Sequence, residues 1–100
     1  MIGVTAKLFI AKGKEAEFET AAKDLMAKVI ANEPDVLTYQ LYKSKKDENT
    51  YIFMEQYTTQ AALQAHGKTE YFLAAQPALG ACLSAAPDIQ YFDRDRKSVV

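Results

Sequence analysis

The chain carries a single histidine, and it falls among groups that can exchange protons. In "EQYTTQAALQAHGKTEYF", residues 55–72, His66 is accompanied by Glu55, Tyr57, Tyr71 and Phe72. An imidazole titrates closest to neutrality of all side chains, so a positioned one can take the proton of an acidic hydroxyl or hold the resulting anion. Glu55 interrupts the apolar run "YIFMEQY", where a carboxylate must find a partner, stay protonated or open to water. By strand alternation it shares a face with Phe53 and Tyr57. Tyr39, Tyr57, Tyr71 and Phe72 could line a cavity for a planar aromatic guest, because aromatic walls supply area at little entropic cost. Packing alone accounts for the same residue types: a histidine satisfied by a backbone carbonyl or by Glu55, a rim glutamate bonded across an interface, and aromatics filling a core.

The elements that must position these groups follow from periodicity. Ile2, Val4, Ala6, Leu8 and Ile10 alternate with Thr5, Lys7 and Phe9, which is a strand over residues 2–10. "KGK" turns the chain. Phe18, Ala21, Ala22, Leu25, Met26, Val29 and Ile30 then recur at steps of three and four, predicting a helix over 14–32 that Asn32 and Pro34 end. Residues 36–43 and 50–57 flank the polar "SKKDENT" and should pair as an antiparallel hairpin. Thr58 or Thr59 can cap a short helix ending near Gly67. His66 then shares a stripe with Ala62 and Leu63 and faces the sheet or a pocket rim. The end of that helix favours imidazolium, weakening His66 as a base and strengthening it as an anion binder.

Thr69 can cap a third helix, which Pro77 should kink or restart, with Leu79, Cys82 and Leu83 as a small apolar face. Residues 71–87 are uncharged, yet they fall short of the ~20 apolar residues of a membrane span and include Gln76, Pro77, Gly80 and Ser84. They read as a buried helix. "DIQYF", residues 88–92, makes a last strand, with residues 1–93 forming one domain and 94–100 a solvated tail. The order matches the split βαβ, ferredoxin-like α+β plan, an antiparallel sheet with helices on one face. Tyr51 and Phe53 point to one face of their strand and Ile52 and Met54 to the other. The face without helices is expected to meet the sheet of a second copy in a homodimer.

Composition narrows the chemistry. One hundred residues suit one small domain, and 12 basic against 13 acidic side chains provide no field for nucleic acid. One cysteine and one histidine make neither an intrachain disulfide nor a structural zinc site, which fits a reducing, cytoplasmic setting. "MIGVTAKLFIAKGK" lacks a basic segment before its apolar run and is broken by Lys7, unlike a signal peptide. GxGxxG, phosphate-loop, HExxH and CxxC motifs are missing from the sequence, so the expected chemistry needs no tightly held metal or nucleotide cofactor.

The hairpin "EPDVLTYQLYKSKKDENTYIFMEQY" with Glu55, followed by "AALQAHGKTEYF" with His66, Tyr71 and Phe72, resembles the antibiotic biosynthesis monooxygenase domain family over residues 2–93. Its members are small dimeric α+β barrel proteins that include quinol monooxygenases. The resemblance implies oxygenation of a small quinol or phenolic substrate by dioxygen without flavin, haem or metal, the substrate itself reducing oxygen. On that footing His66 is the proton acceptor or phenolate partner, Tyr71 a hydrogen-bond donor and Glu55 an orienting group. Tyr39, Phe53, Tyr57 and Phe72 are then substrate walls. An ordinary phenol near pKa 10 and an ordinary imidazole near 6.5 are separated by roughly 5 kcal/mol, which an anion-stabilising site must narrow. Haem-degrading members resemble one another in a first-strand Asn and a helical Trp. This chain has no Trp and no Asn before Asn32. Polyketide-oxidising members also use a Trp, and Tyr57 stands where many relatives have it, pointing to a smaller substrate. Two other classes fit the same residues: an isomerase or degradative enzyme acting on a small enolisable carbonyl compound, and a non-catalytic dimeric small-molecule-binding protein.

Overall fold

The computed structural model describes residues 1–95. In chain order the elements are β1 Ile2–Phe9, α1 Glu15–Asn32, β2 Val36–Lys43, β3 Thr50–Tyr57, α2 Gln60–His66, α3 Glu70–Gly80 and β4 Asp88–Asp93. The four strands form one sheet in the order β2-β3-β1-β4, every neighbour antiparallel. This is the ferredoxin-like α+β arrangement expected above. The expected tail lies outside the described residues from position 96 onward.

One face of the sheet builds the core. Ala6 of β1 and Tyr51 and Phe53 of β3 are buried there against Phe18, Ala22, Leu25 and Val29 of α1, while Ile2, Val4 and Tyr57 form a second cluster packed by Val36, Ala62 and Leu63. Each large apolar side chain buried in this way contributes about 1.5–3 kcal/mol. The glycine in "KGK" is required by geometry: Gly13 has φ +90°, the left-handed region, and its N–H donates to Glu15 Oε1 at 2.8 Å. Ile30, expected on the buried stripe of α1, is instead 72% exposed, because it falls beyond the strip that meets the sheet.

The other face carries no helix. The register places Phe9, Ile52, Met54, Tyr42 and Phe92 there, interleaved with Thr5, Lys7, Gln40, Gln56 and Gln90. Met54, Tyr42 and Phe92 are exposed.

Two readings of the third helical segment are corrected. α3 does not restart at Pro77 but runs through it to Gly80, since Pro77 lies near its end, where few further backbone bonds depend on it. Nor is it a buried helix: none of its residues is fully buried, and Leu73 is exposed. Past α3 the chain is no longer helical. Cys82 is fully buried and Leu83 forms an isolated bridge with Ile10. Among the described residues no helix is long and apolar enough to cross a membrane.

Candidate functional site

His66 is the last residue of α2, a helix begun by Thr59, whose side chain accepts from the Ala62 N–H at 3.1 Å. The side chain turns inward and the residue is 4% exposed. Thr69 ties α2 to α3: its hydroxyl donates to the His66 carbonyl at 2.9 Å and accepts from the Phe72 N–H at 3.3 Å. That cap brings the Phe72 ring to 4.7 Å from the imidazole, centroid to centroid. Tyr39 of β2 and Tyr57 of β3 follow at 5.2 and 5.5 Å. Among the described residues, two polar side chains reach the ring nitrogens within this aromatic box.

The first is Glu33, both of whose carboxylate oxygens lie 3.1 Å from His66 Nδ1. Glu33 follows the last turn of α1, and its N–H donates to the Val29 carbonyl. Pro34 disfavours helical geometry in the residue before it, and Glu33 accordingly adopts φ −123°, ψ 84°. It also continues the buried stripe of α1, four residues after Val29, so its side chain points toward the core. The Tyr71 hydroxyl donates to Glu33 Oε2. Burial, followed by this bond and the Glu33 charge, pushes the Tyr71 hydroxyl up to about 12, so it stays a donor.

The second group is the Tyr39 hydroxyl, 3.4 Å from His66 Nε2. A carboxylate can only accept, so Nδ1 carries the proton of the neutral ring and Nε2 keeps the lone pair. Tyr39 is therefore the donor to Nε2, across a distance near the long limit of a hydrogen bond. Burial first, then the charges of Glu55 and Glu33, raise Tyr39 far above an ordinary phenol. The resulting chain runs from the Tyr39 hydroxyl through the imidazole to Glu33, which Tyr71 supports from the other side.

A cavity of about 550 Å³ opens beside this chain. His66, Tyr39, Phe53, Phe72 and Glu55 contribute to its wall, together with aliphatic side chains of β1 and the α3 end. Ile89 and Tyr91 complete it from β4. Opposite Ala6 and Val4 in the register, they face the helix side yet remain 47% and 63% exposed, so the helices leave β4 uncovered. Glu55 lies on the interior strand β3, not on an edge strand, and accepts from the Tyr57 hydroxyl at 2.6 Å. Its burial raises its proton affinity above the ordinary carboxylate value, although the Tyr57 bond and nearby His66 pull the other way.

Residues 1–78 match the sequence profile of the antibiotic biosynthesis monooxygenase family. The chain belongs to that family. Two similar solved structures are of proteins named as putative antibiotic biosynthesis monooxygenases. The one from Caulobacter crescentus is 47% identical, with a TM-score of 0.92 over 95% of this chain and 90% of its own. The one from Nitrosomonas europaea is 17% identical, with a TM-score of 0.88 over 94% and 98%. A conserved protein of Methanosarcina mazei is 22% identical, with a TM-score of 0.90 over 94% and 92%. The last two show the fold alone. No curated protein matches the chain in sequence. The matched region contains Glu33, Tyr39, Glu55, His66, Tyr71 and Phe72, and stops short of β4.

Within this family member, the residues singled out from the sequence are divided by the fold. His66, Glu55, Tyr39, Phe53 and Phe72 meet at the cavity. Tyr71 does not line it and acts on Glu33. Tyr57, fully buried behind His66, also stands off the wall and holds Glu55. The carboxylate bonded to the imidazole is Glu33, not Glu55. Glu33 falls between Asn32 and Pro34, just outside the helix that periodicity draws over 14–32, so no pattern within an element marks it. The available signal was an acid on an apolar stripe immediately before a proline. Chemically, the arrangement presents an imidazole lone pair beside an apolar cavity, with a carboxylate behind it to stabilise the imidazolium that forms when a proton arrives. Among the described residues no cluster of three or more His, Cys, Asp or Glu could hold a metal.

Proposed function

We propose that this chain is a cofactor-independent monooxygenase that oxidises a small quinol or phenol with dioxygen, His66 taking the hydroxyl proton. The observation that carries the reading is the Glu33–His66 pair, its Nδ1 fixed and its other nitrogen turned to Tyr39 at the cavity. A substrate hydroxyl displaces the Tyr39 hydroxyl from Nε2 and passes its proton to the ring. The electron-rich anion then reduces dioxygen. For a hydroquinone, one oxygen atom enters the ring to give a hydroxyquinone and the other leaves as water, so four electrons pass from substrate to oxygen. Glu33 stabilises the imidazolium, and the apolar walls exclude bulk water from the anion. Glu55, on the same wall, is placed to accept from a second substrate hydroxyl.

The working unit is residues 1–93, assembled as a homodimer through the sheet face without helices. Support for the dimer comes from Met54, Tyr42 and Phe92, which expose large apolar area on that face. Oxygen uptake with a panel of reduced benzoquinols and naphthoquinols tests the activity. His66→Ala should lower the rate at least ~100-fold while circular dichroism shows the fold retained; unchanged uptake in that variant removes His66 from the mechanism. Exchange of solvent deuterium into an enolisable ketone without oxygen consumption would assign the same pair to isomerisation.

A further inference from the structure

The charge of the cavity differs from its shape in what it selects. Among the described residues that line it, the only side chains of an acidic or basic type other than tyrosine are Glu55 and His66; lysine and arginine contribute nothing to the wall. His66 has no free positive charge to offer, because its Nδ1 already faces Glu33, whose side chain is 13% exposed. Even with the imidazolium formed, two carboxylates stand against one cation. At the mouth, Gln60, Gln64 and Gln76 are polar and uncharged. An anion entering such a space loses hydration and meets no lysine, arginine or unpaired imidazolium, so burial works against it.

We infer that the cavity is charge-selective, taking neutral aromatic guests and rejecting those that carry a carboxylate, sulfonate or phosphate, with Glu55 as the side chain that sets this preference. The inference rests on the proposed function in taking this cavity as the substrate site, and it narrows the substrate class to uncharged quinols and phenols. Acidic aromatics, nucleotides and thioesters of phosphorylated carriers are excluded by the same chemistry. The anion formed in the reaction is no exception. It arises by transfer of a proton to His66, so the site gains no net charge when it forms.

Binding of two fluorescent probes with the same rings tests this: 1-anilinonaphthalene, which is neutral, and 8-anilinonaphthalene-1-sulfonate. The neutral probe should bind the wild-type protein at least tenfold more tightly. Glu55→Gln, which keeps an acceptor for the Tyr57 hydroxyl, should narrow the gap. Gln64→Lys, at an exposed position on the mouth, should narrow it further by strengthening sulfonate binding. Equal affinities in the wild type, a gap unmoved in both variants, or failure of the neutral probe to bind would each overturn the inference. The oxygenase reading is judged separately by oxygen uptake. Charge discrimination with no quinol oxidised leaves this inference standing and removes the oxygenase. Equal oxidation of a neutral naphthoquinol and its carboxylated analogue does the reverse.

Discussion

Glu33→Gln isolates the role of the carboxylate behind His66 with the least change of shape. In the native site Glu33 accepts from two donors, His66 Nδ1–H and the Tyr71 hydroxyl, within a side-chain exposure of 13%. A glutamine has one acceptor oxygen and one NH2 group, so it can serve one of the two donors while its NH2 faces the other. Leaving a buried donor without a partner costs about 1–3 kcal/mol. For a domain of this size that lowers Tm by about 4–24 °C, at about 4–8 °C per kcal/mol. The imidazole has an escape: it can shift its proton to Nε2 and accept from the new amide at Nδ1. The lone pair is then lost from the nitrogen beside Tyr39, and activity should fall about 100- to 10,000-fold, as expected when a base is held in the wrong tautomer. Long-range proton–nitrogen NMR reads this directly, because the chain has one histidine and its two ring nitrogens have no competitors. The wild type should show Nδ1 protonated and Nε2 bare, with the pattern reversed in Glu33→Gln. A wild-type ring protonated at Nε2, or a variant with unchanged nitrogens and unchanged turnover, refutes the reasoning.

The remaining expectations concern the second carboxylate and the open sheet face. Burial raises Glu55 above its ordinary value, so the stability it supports is present while it is protonated and is lost as pH rises through the raised folded-state value. Glu55→Gln should therefore melt higher than wild type at about pH 7.5, with the difference closing toward about pH 4; a variant that melts lower at neutral pH contradicts this. Met54→Lys places a charge on the helix-free face, where Met54 is 43% exposed in one chain. Sedimentation should show a dimer weakened at least tenfold, with monomer stability changed by no more than ~0.5 kcal/mol.

Periodicity was enough for most of the architecture because each element reports its own exposed and buried sides. The alternation in β1, the stripe of α1 and the threonine caps of α2 and α3 are local patterns, and local patterns are legible in a sequence. The failures also have local causes. Ile30 has the composition of the α1 stripe but an angular position just outside the contact. Pro77 reads as a break, yet near a helix end the missing amide costs little. Tyr39 reaches the site through a register shift between Val36 and Thr38, which leaves Leu37 50% exposed and lets both Val36 and Tyr39 face the helices. Strict alternation cannot register such a bulge.

By itself the sequence determined the order of elements, the inward turn of His66 and the supply of aromatics and acids around it. Which acid serves which base was decided only by the tertiary structure. Glu55 is nearer to His66 along the chain and was the natural partner to expect, while Glu33 is separated from it by the whole β2–β3 hairpin and most of α2. The pairing depends on where the end of α1 lies over the sheet and on how Pro34 diverts the residue before it. Hydrogen-bond partnership is a matter of ångströms between elements distant in sequence, and no spacing within one element encodes it. The same packing left β4 uncovered and so opened the cavity beside the histidine.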